Sequence, residues 1–184
     1  DMHRPGQTLI DITTLALDGL HRHLQQHETD LVIVQGDTTS TMASALAAFY
    51  AQVPVVHVEA GLRTGTPNSP FPEELNRRLT GVMSTLHLAA TERARDNLLA
   101  EGVAPSFVVV TGNTVIDALL AGKQRLDSDA ALSAQLAARY PFLAAGRRMI
   151  LVTGHRRENF GEPFENFCVA LRLPPAACLR FSEV

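Results

Sequence analysis

The sequence predicts an α/β protein built on a doubly wound, parallel, Rossmann-like sheet, and two observations carry that prediction. Short continuous aliphatic runs alternate with longer stretches at helical spacing, as strands buried on both faces alternate with their crossover helices. The runs end in small, polar or charged residues, and open α/β sheets bind ligands beyond the carboxyl ends of their strands.

Taken in order, Thr8 to His27 places Leu9, Ile12, Leu15, Ala16, Leu20 and Leu24 close to helical spacing. His21, His23 and His27 lie on or beside it, and only His23 and His27 share a face four residues apart. With no carboxylate spaced to join them, they read as a solvated helix end, since ligands need convergent geometry. Asp30 to Gly36 is the first strand. It breaks into Gly36-Asp37-Thr38-Thr39-Ser40-Thr41 and passes into a small-residue helix, Met42 to Gln52. Hydroxyls and backbone N–H groups at a helix start suit an anion. Asp37 would repel a phosphate, so it either serves another group or simply caps the helix.

Val55 to Val58 forms the second strand and ends on Glu59, followed by Ala60-Gly61 and Arg63. A loop with Pro67, Pro70 and Pro72 leads to Glu73-Glu74 and a helix from Leu75 to Met83. The bland alternative is that Glu59 caps a neighbouring helix and the glutamate pair suits the positive end of its own. Leu86 to Thr91 is the third strand, with a helix over Glu92 to Glu101. Ser106 to Thr111 is the fourth, with Gly112-Asn113-Thr114 opening a helix over Val115 to Leu126. Ala130 to Tyr140 is helical until Pro141 stops it. Arg148 to Thr153 is the fifth strand, broken by Gly154-His155-Arg156-Arg157-Glu158-Asn159. Guanidinium forks at such a turn suit a diphosphate, against the plainer reading of a solvated basic turn. A helix from Pro163 onward is expected to bury Phe164, Phe167 and Ala170.

Composition narrows the function. With 184 residues, 46% hydrophobic, 19% charged and a net charge of -3, the chain has an ordinary globular make-up and no basic signal for nucleic acid. No apolar run approaches membrane-spanning length. Cys168 and Cys178 form no metal or redox spacing, and cysteine poverty fits a reducing compartment, so a cytoplasmic protein is expected. Neither Gly-x-Gly-x-x-Gly nor a P-loop occurs, which disfavours a dinucleotide cofactor or ATP. What remains is a constellation at one end of the strands: Asp37, Glu59 with Arg63, Glu73, and His155 with Arg156 and Arg157. Clustered carboxylates can divide the roles of base and acid, while histidine and arginine hold an anionic leaving group. The residues alone outline proton transfer at carbon coupled to departure of a phosphate-type group.

Several segments carry a resemblance. Gly36-Asp37-Thr38-Thr39-Ser40, His57-Val58-Glu59-Ala60-Gly61-Leu62-Arg63-Thr64, Phe71-Pro72-Glu73-Glu74 with Asn76-Arg77, Thr111 to Asp117, and Thr153 to Asn159 together resemble the non-hydrolysing bacterial UDP-N-acetylglucosamine 2-epimerases. The likeness runs in order from about Pro5 to about Leu171. It implies two Rossmann-like domains in the glycosyltransferase-B arrangement, with the nucleotide sugar between them. It implies interconversion of UDP-N-acetylglucosamine and UDP-N-acetylmannosamine for cell-surface polysaccharides, without metal, NAD or other cofactor, in a homodimer. By the same resemblance Asp37, Glu59 and Glu73 match the catalytic acids, and His155 the catalytic histidine that touches UDP. Asp37 and Glu59 also bind substrate, with Arg63 and Arg156 as candidates for the diphosphate.

The resemblance also sets domain expectations. Residues 1–145 would hold most of the first domain without its opening strands, and 146–184 the start of the second. The chain opens at Asp1 without methionine, and Pro174-Pro175 interrupt a helix. Both ends therefore read as cut, the tail from about residue 172 as aberrant, and the chain by itself as inactive. Alternatives are the hydrolysing branch of the epimerases, a transferase of the same architecture, and a non-catalytic nucleotide-sugar-binding remnant.

Overall fold

In a computed structural model of the chain the structure describes residues 4, 6–144 and 161–172. Two compact units are present, Asp1–Leu136 and Ala137–Val184. The first holds a sheet of four strands in the order β1 (Val32–Gln35), β2 (Val55–Ala60), β3 (Leu86–Ala89) and β4 (Val108–Val110). All neighbouring pairs are parallel. The helices in chain order are α1 (Leu9–Gln26), α2 (Thr39–Tyr50), α3 (Glu73–Met83), α4 (Glu92–Ala100), α5 (Thr114–Ser128), α6 (Ala130–Arg139) and α7 (Glu162–Arg172). The expected Rossmann-like alternation therefore holds for the described part. The fifth strand, and the turn carrying His155, Arg156 and Arg157, lie outside the described residues.

Local chemistry sets the helix starts. Thr8 and Asp11 form a reciprocal capping box at α1, each side chain satisfying the other's backbone N–H. Thr38, not Asp37, caps α2: its hydroxyl accepts from the Thr41 amide at 3.2 Å. The capping reading of Asp37 is thus corrected: its carboxylate pairs with Arg77 instead. Small residues let α2 sit deep, with Ala43, Ala45, Ala47 and Ala48 all fully buried. Val34, Ala45, Ala48 and Val55 form one core, with Leu24 of α1 packed against it. A second core gathers Ala60, Ala89, Ala94, Leu98 and Val108. Leu98 is 1% exposed, and burying such a side chain contributes about 2 kcal/mol.

Strand β2 runs two residues beyond the predicted Val58. The ladder to β3 slips between Val58 and Ala60, and Glu59 at that slip adopts φ 65°. Gly61 follows at φ 85°, where a Cβ would stand 2.2 Å from the Ala94 carbonyl oxygen. Only glycine allows α4 so close, and Asn97 seals the contact by donating to the Gly61 carbonyl at 2.9 Å.

One expectation fails in the second unit. In α7 Phe164 and Phe167 are 39% and 40% exposed and Ala170 is exposed, rather than buried. Among the described residues the two phenyl rings contact each other, with centroids 6.2 Å apart. An amphipathic pattern states which face can be buried, and burial needs a surface to receive it. Among the described residues no helix is long and apolar enough to cross a membrane.

Candidate active site

Two carboxylates, Asp37 and Glu59, lie beyond the carboxyl ends of β1 and β2, and a third, Glu73, opens α3. Asp37 follows β1 on the turn opened by Gly36 at φ 75°. Glu59 lies beside that turn: a Cβ on Gly36 would stand 3.9 Å from Glu59 Oε2. Glu73 is the first residue of α3, half-buried, with no hydrogen bond or ion pair among the described residues. Glycine at position 36 thus leaves room beside the Glu59 carboxylate.

The glutamate pair at the start of α3 separates cleanly. Glu74 is fully buried and saturated: its carboxylate accepts from the amides of Thr64 at 3.1 Å and Gly65 at 3.3 Å. It also accepts from Arg78 at 3.1 Å and Arg77 at 3.2 Å. Burial pushes its pKa up, but these donors outweigh burial and hold it below the ordinary carboxylate range. Glu74 ties the loop after β2 to α3, while Glu73 stays unsatisfied and available. Arg77 reaches on to pair with Asp37, and Asn76 donates to the Asp37 carbonyl at 3.0 Å.

Arg63 departs from expectation. Its side chain is 7% exposed and its Nε and Nη2 donate to the two oxygens of Glu101, both at 2.7 Å. Nη1 donates to the Leu62 carbonyl at 2.8 Å. A guanidinium engaged in this bidentate pair braces the loop after β2 against the end of α4. The Arg63 hydrogen bonds in turn lower the pKa of Glu101.

Sequence reasoning also missed a buried pair beneath the acids. His57 and His87 are partners across β2 and β3, exposed by only 1% and 2%. His57 Nε2 lies 2.8 Å from the Gly36 carbonyl oxygen, to which its N–H donates, so Nε2 carries the proton of the neutral ring. Burial lowers the pKa of His57, and the Arg63 and Arg77 charges add to that. Burial, then His57 and Arg63, push His87 down to about 4. Both rings are neutral at neutral pH and floor the site. The signal for them was present, a histidine inside each of two aliphatic runs, but only the register brings them together. His23 and His27 stack at the exposed end of α1 with centroids 4.2 Å apart, away from this arrangement.

The profile of the family described as UDP-N-acetylglucosamine 2-epimerase matches residues 1–176. This chain belongs to that family. A probable UDP-N-acetylglucosamine 2-epimerase of Ralstonia solanacearum is 55% identical over 168 residues, which are 91% of this chain and 45% of the relative. The UDP-N-acetylglucosamine 2-epimerase of Escherichia coli K12 is 54% identical over the same shares. Among solved structures, the Neisseria meningitidis UDP-GlcNAc 2-epimerase bound to UDP-GlcNAc superposes with a TM-score of 0.87 at 45% identity. That match covers 92% of this chain and 46% of the other. The chain thus spans under half the length of the relatives it matches.

Proposed function

We propose that the protein carrying this chain epimerises UDP-N-acetylglucosamine at C2 to UDP-N-acetylmannosamine. The observation that supports this reading is the placing of Asp37 and Glu59 about the Gly36 turn in a family whose relatives are named for that reaction. The C2 hydrogen has no adjacent carbonyl to acidify it, so direct removal and return would be very slow. Elimination avoids the problem. One carboxylate takes the C2 proton, the C1–O bond breaks, and UDP leaves with the electron pair, giving 2-acetamidoglucal. UDP then adds back at C1 as a proton is delivered to the other face of C2.

Asp37, Glu59 and Glu73 supply the base and acid of these steps, and the first two also touch the sugar. His155 and Arg156 receive the departing diphosphate, on a second Rossmann-like domain expected to begin near residue 146. Arg63, bound to Glu101, supports the loop instead. The elimination and re-addition move protons and a leaving group but no hydride, so these steps call for no nicotinamide. The enzyme works in the cytoplasm on precursors of surface polysaccharide, as a homodimer. An exposed apolar stripe on α3, Leu75, Leu79 and Val82, supports a second copy packing there. Sedimentation of the Val82→Asp variant as monomer against a dimeric parent is the expected outcome; an unchanged distribution overturns that contact.

The test of the reaction splices this chain into the Escherichia coli relative in place of its matching 168 residues. A proton NMR time course with UDP-N-acetylglucosamine in D2O should show UDP-N-acetylmannosamine carrying deuterium at C2. Glu59→Gln should abolish the signal. Free N-acetylmannosamine would move the protein to the hydrolysing branch. Unchanged sugar beside a folded chimera would overturn the proposal and leave a binding role.

A further inference from the structure

Arg77 has two ends. Nη1 donates to Glu74 Oε2 at 3.2 Å and Nη2 donates to Asp37 Oδ2, with the side chain 11% exposed. The Glu74 end is fixed, since that carboxylate is fully buried and also bound by Arg78 and the Thr64 and Gly65 amides. The Asp37 end is reinforced by the preceding residue: Asn76 Nδ2 donates to the Asp37 carbonyl at 3.0 Å and to Thr39 Oγ1 at 3.4 Å. Consecutive residues of α3 therefore grip Asp37 by side chain and by main chain. Meanwhile Arg77 Nε is buried without a hydrogen-bond partner among the described residues. The guanidinium leaves one donor unsatisfied while bridging two carboxylates.

We infer that Arg77 is the positioning residue of the acid cluster, holding the Asp37 carboxylate in register with Glu73. The register follows from the helix. Glu73 and Arg77 are four residues apart and share a face, so fixing Asp37 to Arg77 fixes its place relative to Glu73. Through Glu74 the same fork ties both to the loop that leaves Glu59. Three acids contributed by separate elements are thus referred to one rigid group. A planar fork can span two carboxylates, whereas a lysine ammonium acts as a single point charge. The inference rests on reading Asp37 as a site acid, and its test separates the two ideas.

The experiment compares 1H–15N spectra of the Escherichia coli chimera with those of its Arg77→Lys, Arg77→Met and Asp37→Asn variants. Arg77→Lys keeps a charge for Glu74 but not the bridge. It should leave the Thr64 and Gly65 amide signals in place and move those of Gly36, Asp37 and Thr38. Asp37→Asn should move the same three signals from the other side. If charge balance alone were its role, lysine would restore every signal, and that result overturns the inference. A thermal cycle adds an independent readout. The double variant Arg77→Met with Asp37→Asn should unfold at the temperature of Arg77→Met alone; additive losses overturn the inference too. Should Arg77→Met not fold, the lysine and asparagine spectra still decide. Finally, UDP-N-acetylglucosamine should shift the Asp37 and Glu59 amides of the parent, with affinity about tenfold weaker in Arg77→Lys, a difference of about 1.4 kcal/mol. Absence of any shift in the parent chimera refutes Asp37 as a site acid, while the variants' spectra still decide the clamp.

Discussion

Glu59 sits at φ 65°, where a side chain with a Cβ is disfavoured by about 1 kcal/mol. Nothing in the packing demands a carboxylate there: it makes no hydrogen bond or ion pair among the described residues and lines the space beside Gly36. On the proposed reading, that cost is accepted for the chemistry of the carboxylate. Replacing it by glycine should therefore raise the unfolding free energy by about 1 kcal/mol in urea titration while removing the acid. A loss of stability would mean that the side chain supports the fold. Two residues on, Gly61 poses the opposite case. Its neighbour Ala94 leaves no room for a Cβ, so Gly61→Ala should lower stability by more than about 2 kcal/mol in the same titration. The sequence displayed Glu59, Gly61 and Arg63 as one motif. It could not show that Arg63 turns away to Glu101, because a pairing across 38 residues depends on how α4 is placed.

At the scale of the element, α3 runs against the usual rule. Leu75, Leu79 and Val82 are 46%, 42% and 86% exposed, whereas Glu74, Asn76, Arg77 and Thr80 are buried. The helix was legible from its periodicity, but which face points inward was not, because hydrophobic patterning assigns the apolar stripe to the core. The same inversion hid the distinction between Glu73 and Glu74. Adjacent residues on a helix lie about 100° apart, so Glu74 meets Arg77 and Arg78 while Glu73 does not. The structure makes their substitutions separable. Glu74→Gln leaves Arg77 and Arg78 without their shared counter-charge and should cost about 3 kcal/mol in urea titration. Glu73→Gln should change stability by no more than about 0.5 kcal/mol while abolishing turnover in the chimera. Equal stability losses would show that Glu73 also serves the fold.

Across the whole molecule, the parallel sheet and its helices were legible because aliphatic runs and helical spacings alternate regularly. The register was not, since it is set by packing between elements far apart in sequence. Register is what places His57 beside His87, and that pairing gives the protein an acid-sensitive floor. The charges facing His57 are Asp37, Arg63 and Arg77, and those facing His87 are His57, Arg63 and Glu101. Both folded-state pKa values lie below the ordinary 6.5, with His87 at about 4. Between those values the unfolded chain binds protons that the folded chain refuses, so stability falls as pH is lowered through this window. Glu74 and Glu101 act later, because their pKa values are depressed from 4.5: their contribution is whole above that value and is lost only as pH drops through the folded-state values. Acid unfolding should therefore begin with the imidazoles. The urea midpoint should decline steadily from pH 6.5 toward 4, the span between the ordinary and folded values for His87, and His87→Gln should flatten that decline. A parent whose midpoint stays level to pH 5 would show that the buried rings accept protons as readily in the fold as outside it.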